Sequence, residues 1–442
     1  MGFLILGLAL VAAAACSGPD GPVVPPGPPP PQEELRSMAA ANGMTPVPLP
    51  PPVRPELVEL GRTLAFDKVL SGTRDISCMS CHLPSQGTSD ALALSIGQGA
   101  AGLGPARTHP GNLFIPRNSL PLFNLHGIGT HFWDGRLTFD GGILTTPAGP
   151  LVTPAMRGVM EFGGISVLPL FPVLSREEMR GFDGNELAAI DDADMTAIWA
   201  GLMGRLGDYP DYRALFEAAY PGVDFDDMTF AHAANAIGGF FVAELFAGGT
   251  PWDRFLAGDD DALTADQVVG GLIFFREGRC AVCHTGPLLS DQQFHNVAVP
   301  QVGPGSGHGS AGDEDFGRGG LTGDPALRFA FRTPPLRNVG ITGPWGHGGQ
   351  FDSLRDFVDH YSESDRKLLE FDPDRIDPRL RASLRRDPVI LETRSPHLDG
   401  LVLTDAEVNR LLVFLFALTD DRSLVLSGLP PARVPSGLPV DR

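Results

Sequence analysis

Two motifs of the same kind constrain the fold of this chain more than any other feature. Residues 78–82 read Cys-Met-Ser-Cys-His, residues 280–284 read Cys-Ala-Val-Cys-His, and the fifth cysteine is Cys16. A zinc ribbon needs cysteine pairs about 15–20 residues apart, and a thioredoxin-like motif does not need the histidine. Cys-x-x-Cys-His is typical of covalent haem c attachment, in which the histidine binds the iron. The sequence therefore predicts two haem c groups, held by Cys78, Cys81 and His82 and by Cys280, Cys283 and His284.

The composition excludes several other classes of protein. The 442 residues are 43% hydrophobic and only 19% charged, which is typical of a globular chain and not of a disordered acidic one. The formal net charge is −20. Because a nucleic-acid ligand requires a basic surface, we expect no nucleic acid among the partners.

The N-terminus is typical of an exported protein. Residues 3–15 form an apolar run that is too short to span a membrane, and the small residues at 13–15, all alanine, precede Cys16 as in a bacterial lipoprotein. We expect a signal peptide over residues 1–16, a periplasmic location, and membrane attachment only through a lipid at Cys16. Residues 17–54 are rich in proline and glycine, which predicts an extended tether. A spacer without an anchor is the alternative.

A weak internal repeat predicts two related domains. Gly61-x-x-Leu64-x-Phe66 precedes the first motif, and Gly270-x-x-Ile273-x-Phe275 precedes the second. We expect a first haem domain over residues 55–250, a second over 251–425, and a tail over 426–442. Capping boxes predict helices that begin at Thr264 and Thr404, and residues 231–247 read as a buried helix. The predicted fold class is mainly α, with two cytochrome c-like haem domains and long loops rich in glycine and proline.

The second iron ligand of each haem decides whether the haem transfers electrons or binds a small molecule. Every methionine lies at or before Met228, so the segment after the second motif has none to offer. That segment contains one tyrosine, Tyr361, and its histidines are His295, His308, His347, His360 and His397.

Four further motifs carry a specific resemblance. They are Arg-Asn-Ser-x-Pro at 117–121, Phe-Trp-Asp-Gly-Arg at 132–136, Pro-Leu-Arg-Asn at 335–338 and Thr-Gly-Pro-Trp-Gly-His at 342–347. With the two haem motifs, they make the chain similar to the bacterial di-haem cytochrome c peroxidase family, and in particular to its MauG-like branch, over residues 55–419. The resemblance implies an oxidoreductase that reduces hydrogen peroxide at the first haem and shares oxidising equivalents with the second.

The resemblance also implies a ligand pattern. Family members often block the first haem with a histidine in a Ser-Ile-Gly-His-Gly loop, but residues 95–99 read Ser-Ile-Gly-Gln-Gly. Gln98 would therefore leave that haem open, unless His109 replaces the blocking histidine. The distal methionine of the second haem corresponds to Tyr361, as in the MauG-like branch. His347 and His360 are the alternatives.

Three more roles follow from the resemblance. Trp133 matches a tryptophan that lies between the two haems. Glu178 matches a glutamate that moves the peroxide proton during cleavage of the O–O bond, with Glu161 as the alternative. Asn118, with the carbonyl oxygens of Thr342 and Pro344, matches a calcium position.

The sequence leaves two classes of electron donor open. The electron donor is expected to be a small cytochrome c or cupredoxin, or a protein substrate that is oxidised in place. A non-enzymatic di-haem electron-transfer cytochrome is the alternative function. It predicts two six-coordinate haems and no turnover of peroxide.

Overall fold

The computed structural model describes residues 30–442. The predicted signal peptide, Cys16 and the first part of the predicted tether lie outside these residues. The α-helices are α1 (Pro31–Ala41), α2 (Pro55–Phe66), α3 (Cys78–Cys81), α4 (Pro154–Val159), α5 (Gly164–Val167), α6 (Met195–Gly207), α7 (Pro210–Ala219), α8 (Phe230–Glu244), α9 (Pro251–Leu256), α10 (Ala265–Phe275), α11 (Arg318–Thr322), α12 (Leu354–Tyr361), α13 (Ser364–Leu369) and α14 (Asp405–Phe416). None of the helices in this range has the length and apolar character needed to cross a membrane.

The strands are short and lie in two small antiparallel sheets. They are β1 (Thr130–His131), β2 (Leu137–Asp140), β3 (Ile143–Thr145), β4 (Phe294–His295) and β5 (Phe331–Arg332). The first sheet has the order β1-β2-β3, and in the second Phe294 pairs with Arg332. The prediction of a mainly α fold is confirmed.

Two of the predicted helices begin directly after the capping residues that the sequence indicated. Thr264 and Gln267 make a capping box at the start of α10, and Thr404 and Glu407 make one at the start of α14. Each threonine side chain accepts a backbone N–H that the first turn leaves unpaired. The buried helix predicted over residues 231–247 is α8, whose first thirteen residues are all buried.

Each of the two glycines of the internal repeat lies where its helix contacts the backbone of another helix. A Cβ atom on Gly61 of α2 would lie 1.8 Å from the carbonyl oxygen of Ala236 on α8. A Cβ atom on Gly270 of α10 would lie 2.0 Å from the carbonyl oxygen of Arg410 on α14. Each glycine therefore lets the helix before a haem motif cross its partner at a distance that no other residue allows.

Two hydrophobic clusters surround these helix pairs. The first consists mostly of residues between 47 and 247 and includes α2 and α8. The second includes α10, α14 and residues from α1. The predicted boundary between residues 250 and 251 stays a prediction, because the first cluster also includes Leu288 and the second also includes Leu35.

The prediction of an extended tether over residues 17–54 is wrong for residues 31–41, which form α1. Pro31 occupies the first helical position, where the N–H that proline lacks would have no partner in the helix. Glu33 and Glu34 lie in the first turn, where their negative charges interact favourably with the positive end of the helix dipole. Leu35 and Ala39, one turn apart, are fully buried against the second cluster. The free energy of burying this face outweighs the preference of the proline-rich segment for an extended chain.

The predicted tail, residues 426–442, packs against the opposite half of the molecule. Leu429 is buried in the first cluster. Near the end of the chain, Asp441 accepts a hydrogen bond of 2.5 Å from the Ser80 hydroxyl and pairs with Lys68 at 2.6 Å. Ser80 lies inside the first Cys-x-x-Cys-His motif, so the C-terminus is hydrogen-bonded to the loop that carries this motif.

The N-terminal segment is fastened to the second loop in the same way. The carbonyl oxygen of Asn42 accepts hydrogen bonds from the Thr285 hydroxyl at 2.6 Å and from the Gly286 N–H at 3.1 Å. Both donors directly follow His284. Each loop that carries a Cys-x-x-Cys-His motif thus contacts the terminal segment from the distant end of the chain.

Candidate functional site

A cavity of about 1160 Å³ reaches both cysteine motifs. It is lined by Cys78, Cys81 and His82 on one side and by Cys280, Cys283 and His284 on the other. The four cysteines are free thiols, as required of residues that attach a haem through thioethers. The remaining wall is mostly apolar side chains and prolines, which suits the face of a porphyrin.

Both motif histidines are oriented as iron ligands. His82 Nδ1 donates to the Thr88 carbonyl oxygen at 3.1 Å and lies 3.2 Å from the Ser119 hydroxyl. His284 Nδ1 donates to the Leu289 carbonyl oxygen at 2.9 Å. These bonds place the proton on Nδ1 and leave Nε2 free for a metal. Burial lowers the pKa of His82 to about 4 and lowers that of His284 as well, which keeps both rings neutral.

Glu178 lies against the cavity beside the first cysteine pair. It belongs to a short π-helix, Arg176–Arg180, and the side-chain hydroxyl of the preceding N-cap residue, Ser175, accepts the Glu178 N–H. Burial raises the pKa of the Glu178 carboxyl group. The positive charge of Arg136, which also lines the cavity, opposes this rise, and the charge of Glu177 adds to it. Glu178 is therefore a carboxyl group whose pKa is shifted toward the range in which a side chain can both accept and return a proton.

Glu161, the alternative, lies elsewhere. It is absent from the cavity wall, and both of its carboxylate oxygens bind Arg54, at 2.9 and 3.0 Å. It also accepts a hydrogen bond from Asn235. This arrangement is that of a partly exposed structural ion pair.

Gln98 does not line the cavity. Its side-chain amide donates to the Thr73 hydroxyl, and its backbone N–H donates to the Glu178 carbonyl oxygen at 2.9 Å. A Cβ atom on the neighbouring Gly97 would lie 1.8 Å from the Glu177 carbonyl oxygen, so this loop approaches the π-helix very closely. Gln98 supports the backbone at Glu178 and does not itself touch the reacting groups. His109, the alternative blocking residue, is also outside the cavity wall.

Trp133 is held from both halves of the molecule. Its indole Nε1 donates to the Asn118 carbonyl oxygen at 2.9 Å, and its own carbonyl oxygen accepts the N–H of Arg332 at 2.8 Å. The side chain is buried and lines the cavity. Trp133 therefore lies where the two halves meet, and its location between the two haems stays a prediction.

Of the three candidate ligands of the second haem, Tyr361 and His347 line the cavity and His360 does not. Tyr361 lines the cavity, and its hydroxyl makes no hydrogen bond to any residue between 30 and 442. Its pKa is raised by burial and by the nearby Cys283 and Cys280 thiols, which places the ring beside the second cysteine pair. His360 points away, because its Nε2 bonds the Val297 carbonyl oxygen at 3.1 Å and the residue is absent from the cavity wall.

His347 lines the cavity at a different point. Its ring stacks on Phe331 with centroids 3.7 Å apart. Burial lowers the pKa of His347, and the charges that act on this pKa are those of Asp315 and Arg117 and not those of the second cysteine pair. This location favours Tyr361 as the group that faces the second haem.

Asn118, Thr342 and Pro344, the predicted calcium residues, all line the cavity. The Asn118 amide nitrogen donates to the carbonyl oxygens of Leu92 and Ala93, at 2.9 and 3.2 Å. Its side-chain oxygen accepts no hydrogen bond from the described residues, which leaves one oxygen donor free to bind a cation.

The ion pairs near Trp133 were not predicted from the sequence. Arg117 binds Asp134 at 2.6 Å and Asp315 at 2.7 Å, which joins the two halves through a buried ion pair. Arg117 and Arg136 belong to motifs that were recognised, but no periodicity or spacing assigns them a partner. Asp315 carries no local signal, because its role depends on a contact with a residue 198 positions away.

Comparisons with known proteins agree with this geometry. The di-haem cytochrome c peroxidase family matches residues 55–261. The methylamine utilization protein MauG of Methylorubrum extorquens is 30% identical over 362 residues, which cover 80% of this chain and 82% of the relative. The chain belongs to the di-haem cytochrome c peroxidase family. The family and the enzyme class predicted from the sequence, a di-haem c-type peroxidase, are confirmed, and with them the expectation of two haem c groups.

Two further relatives extend the comparison. The cytochrome-c peroxidase IdrP2 of Denitromonas iodatirespirans is 29% identical over 358 residues, covering 76% of this chain and 82% of the relative. A crystal structure of a MauG-like protein associated with microbial copper homeostasis superposes with a TM-score of 0.62 at 26% identity, covering 86% of this chain and 95% of that chain. The similarity therefore includes both halves of the molecule.

Proposed function

We propose that this protein is a periplasmic peroxidase that reduces hydrogen peroxide at the site of Cys78, Cys81 and His82 and shares oxidising equivalents with a second haem held by His284 and Tyr361. The observation that carries the proposal is Glu178, a carboxyl group of raised pKa that lies against the cavity beside the first cysteine pair. When bound, haem supplies the electrons and the iron coordination for peroxide reduction.

The protein's own groups handle the protons. Cleavage of the O–O bond requires that a proton leave one peroxide oxygen and arrive on the other, and Glu178 is the group positioned to accept and return it. Arg136 carries a positive charge near this carboxylate and would stabilise negative charge that develops on the departing oxygen. Overall, hydrogen peroxide takes up two electrons and two protons to give two waters.

Replacing Glu178 by glutamine tests the proposal. We expect the reaction of the resting holoprotein with peroxide to slow by about 100-fold or more, since general acid–base catalysis contributes about 10²–10⁴-fold. The absorption spectra of both haems should stay unchanged. Stopped-flow spectroscopy measures the rate.

Glu161→Gln is the matched control, because Glu161 is a partly exposed glutamate outside the cavity that binds Arg54. Its variant should react like the wild type. Equal rates for Glu178→Gln and the wild type would contradict the proposed role.

The arrangement around Trp133 and Tyr361 supports sharing of oxidising equivalents between the haems. Trp133 is buried between the two halves, and its backbone and indole are hydrogen-bonded to both. A phenolate at the second haem favours high oxidation states, so this haem would store oxidising power and would be a poor entry point for electrons. We favour a protein side chain oxidised in place as the electron donor, with a small cytochrome c or cupredoxin as the alternative.

Two details belong to the same proposal. Export to the periplasm with lipid attachment at Cys16 is supported by the N-terminal sequence. Calcium is supported by the free side-chain oxygen of Asn118 and by the location of Thr342 and Pro344 on the same cavity wall, since hard oxygen donors suit Ca²⁺.

A further inference from the structure

Arg332 is a buried cation without an anionic partner in the described part of the chain. It lies on β5, is 3% exposed and lines the cavity. Its Nε donates to the Phe132 carbonyl oxygen at 3.2 Å and its Nη1 donates to the Thr333 carbonyl oxygen at 3.3 Å. Nη2 makes no hydrogen bond to any residue of the range 30–442. One edge of the guanidinium group is therefore free.

The other buried arginines of the cavity wall have carboxylate partners. Arg117 binds both Asp134 and Asp315, and Arg337 binds Asp253 at 2.9 Å. Burial lowers the pKa of Arg332 to about 10, and no acidic side chain offsets the effect. A buried charge without a partner costs several kcal/mol, so such groups are normally paired. The missing anion must come from what the cavity holds.

We propose that Arg332 binds a propionate carboxylate of the haem attached at Cys280 and Cys283. The inference rests on the proposed attachment of a haem at this pair. A guanidinium group binds a carboxylate through two parallel hydrogen bonds, and a haem propionate is a carboxylate that the cavity's own cofactor brings.

The contacts of the segment that directly follows Arg332 connect it to the second cysteine motif. The Thr333 carbonyl oxygen accepts the Ser290 hydroxyl at 2.7 Å, and the Leu336 N–H donates to the Leu288 carbonyl oxygen at 3.2 Å. Ser290 and Leu288 flank Leu289, whose carbonyl oxygen orients His284. Arg332 thus belongs to the structure that holds the second haem's histidine.

The same residue reaches the tryptophan between the two halves. The Arg332 N–H donates to the Trp133 carbonyl oxygen at 2.8 Å, and its Nε holds the preceding carbonyl group of Phe132. Arg332 would therefore join a propionate of the second haem to the backbone that positions Trp133. It is a positioning residue, since it acts on the reaction through the haem and the tryptophan.

Arg332→Gln tests the inference with two spectroscopic readouts on the holoprotein. Resonance Raman bands of propionate bending should shift, because the carboxylate loses its hydrogen bonds. Removing a nearby positive charge stabilises the ferric form, so the ferric-to-ferrous equilibrium of the second haem should move about tenfold toward ferric, or about 59 mV for one electron. Redox titration measures this change.

Two further variants separate a specific role from loss of packing. Arg332→Lys keeps the charge and loses the paired hydrogen bonds, so the Raman bands should shift while the potential stays near that of the wild type. Arg205→Gln removes a buried arginine that binds Glu186 outside the cavity, and it should change neither readout. If Arg332→Gln fails to yield holoprotein, the Raman spectrum of Arg332→Lys decides.

Unchanged propionate bands in both Arg332 variants would overturn the inference, and so would a shift confined to the first haem. The proposed function fails separately. A wild-type protein that carries no haem at Cys280 and Cys283 would refute the function before any variant is compared.

Discussion

The ion pair of Asp441 with Lys68 should contribute strongly to the stability of the first half of the molecule. The Lys68 and Asp441 side chains are 14% and 8% exposed, and their charged atoms are 2.6 Å apart. Asp441 also accepts the hydroxyl of Ser80, within the first haem motif. Lys68 has no second carboxylate partner among residues 30–442. Asp441→Asn removes the charge while it keeps the shape of the side chain.

The structure sets the magnitude of the loss. Breaking a buried pair by removing one partner costs about 3–5 kcal/mol, because the remaining charge is left uncompensated. Since Lys68 is partly exposed, water offsets some of this cost, and we expect about 3 kcal/mol. For a unit of roughly 200 residues each kcal/mol lowers Tm by about 2–4 °C, so the expected decrease is about 6–12 °C.

Thermal unfolding of the holoprotein, followed by circular dichroism and by the Soret band, measures the effect. Asp421→Asn serves as the control, because Asp421 is an exposed aspartate of the same C-terminal region without an ion pair in the described chain. The double variant Lys68→Met with Asp441→Asn should recover much of the loss, since no buried charge remains. A Tm of Asp441→Asn within about 1 °C of the wild type would refute the reasoning, and so would a double variant that is less stable than the single one.

Three other predictions concern the packing of α1, the ligand of the second haem and the proton-transfer group. Leu35→Ala, in α1, should destabilise the second half by about 2–5 kcal/mol because its side chain is fully buried, whereas Leu49→Ala, at a residue that is 80% exposed, should be neutral in the same denaturant titration. Tyr361→Phe should change the spectrum of the second haem and leave the first unchanged; a spectrum identical to that of Tyr209→Phe, a tyrosine outside the cavity, would exclude Tyr361 as a ligand. The rate of the peroxide reaction should fall as the pH decreases through the pKa of Glu178, at a pH above the ordinary value of 4.5, because only the deprotonated carboxylate accepts a proton; Glu178→Gln should abolish this dependence.

Short sequence motifs predicted those features of the molecule that depend on a few consecutive residues. The two Cys-x-x-Cys-His motifs predicted two haem c groups, as the family requires, and the capping boxes at Thr264 and Thr404 located the starts of two helices. The repeated glycines, Gly61 and Gly270, predicted equivalent helices in both halves. Their spacing gave no reason for the glycine, which became clear only from the close approach to the carbonyl groups of a partner helix.

Contacts between distant parts of the chain were not predictable in this way. The segment after the proline run looked extended, but Leu35 and Ala39 find an apolar surface on the second half and form a helix there. Glu178 and Glu161 are both glutamates near the family motifs, and only the fold shows that one faces the cavity while the other binds Arg54. The sequence did not single out Arg332, because only the fold shows that it is buried without a carboxylate partner among the described residues.

Electron paramagnetic resonance of the resting holoprotein, before and after one equivalent of hydrogen peroxide, tests the central claim most directly. We expect one high-spin ferric haem with an open face and one low-spin ferric haem, and both signals should decrease together when peroxide is added. Two low-spin signals that peroxide leaves unchanged would contradict it and would identify the protein as an electron-transfer cytochrome.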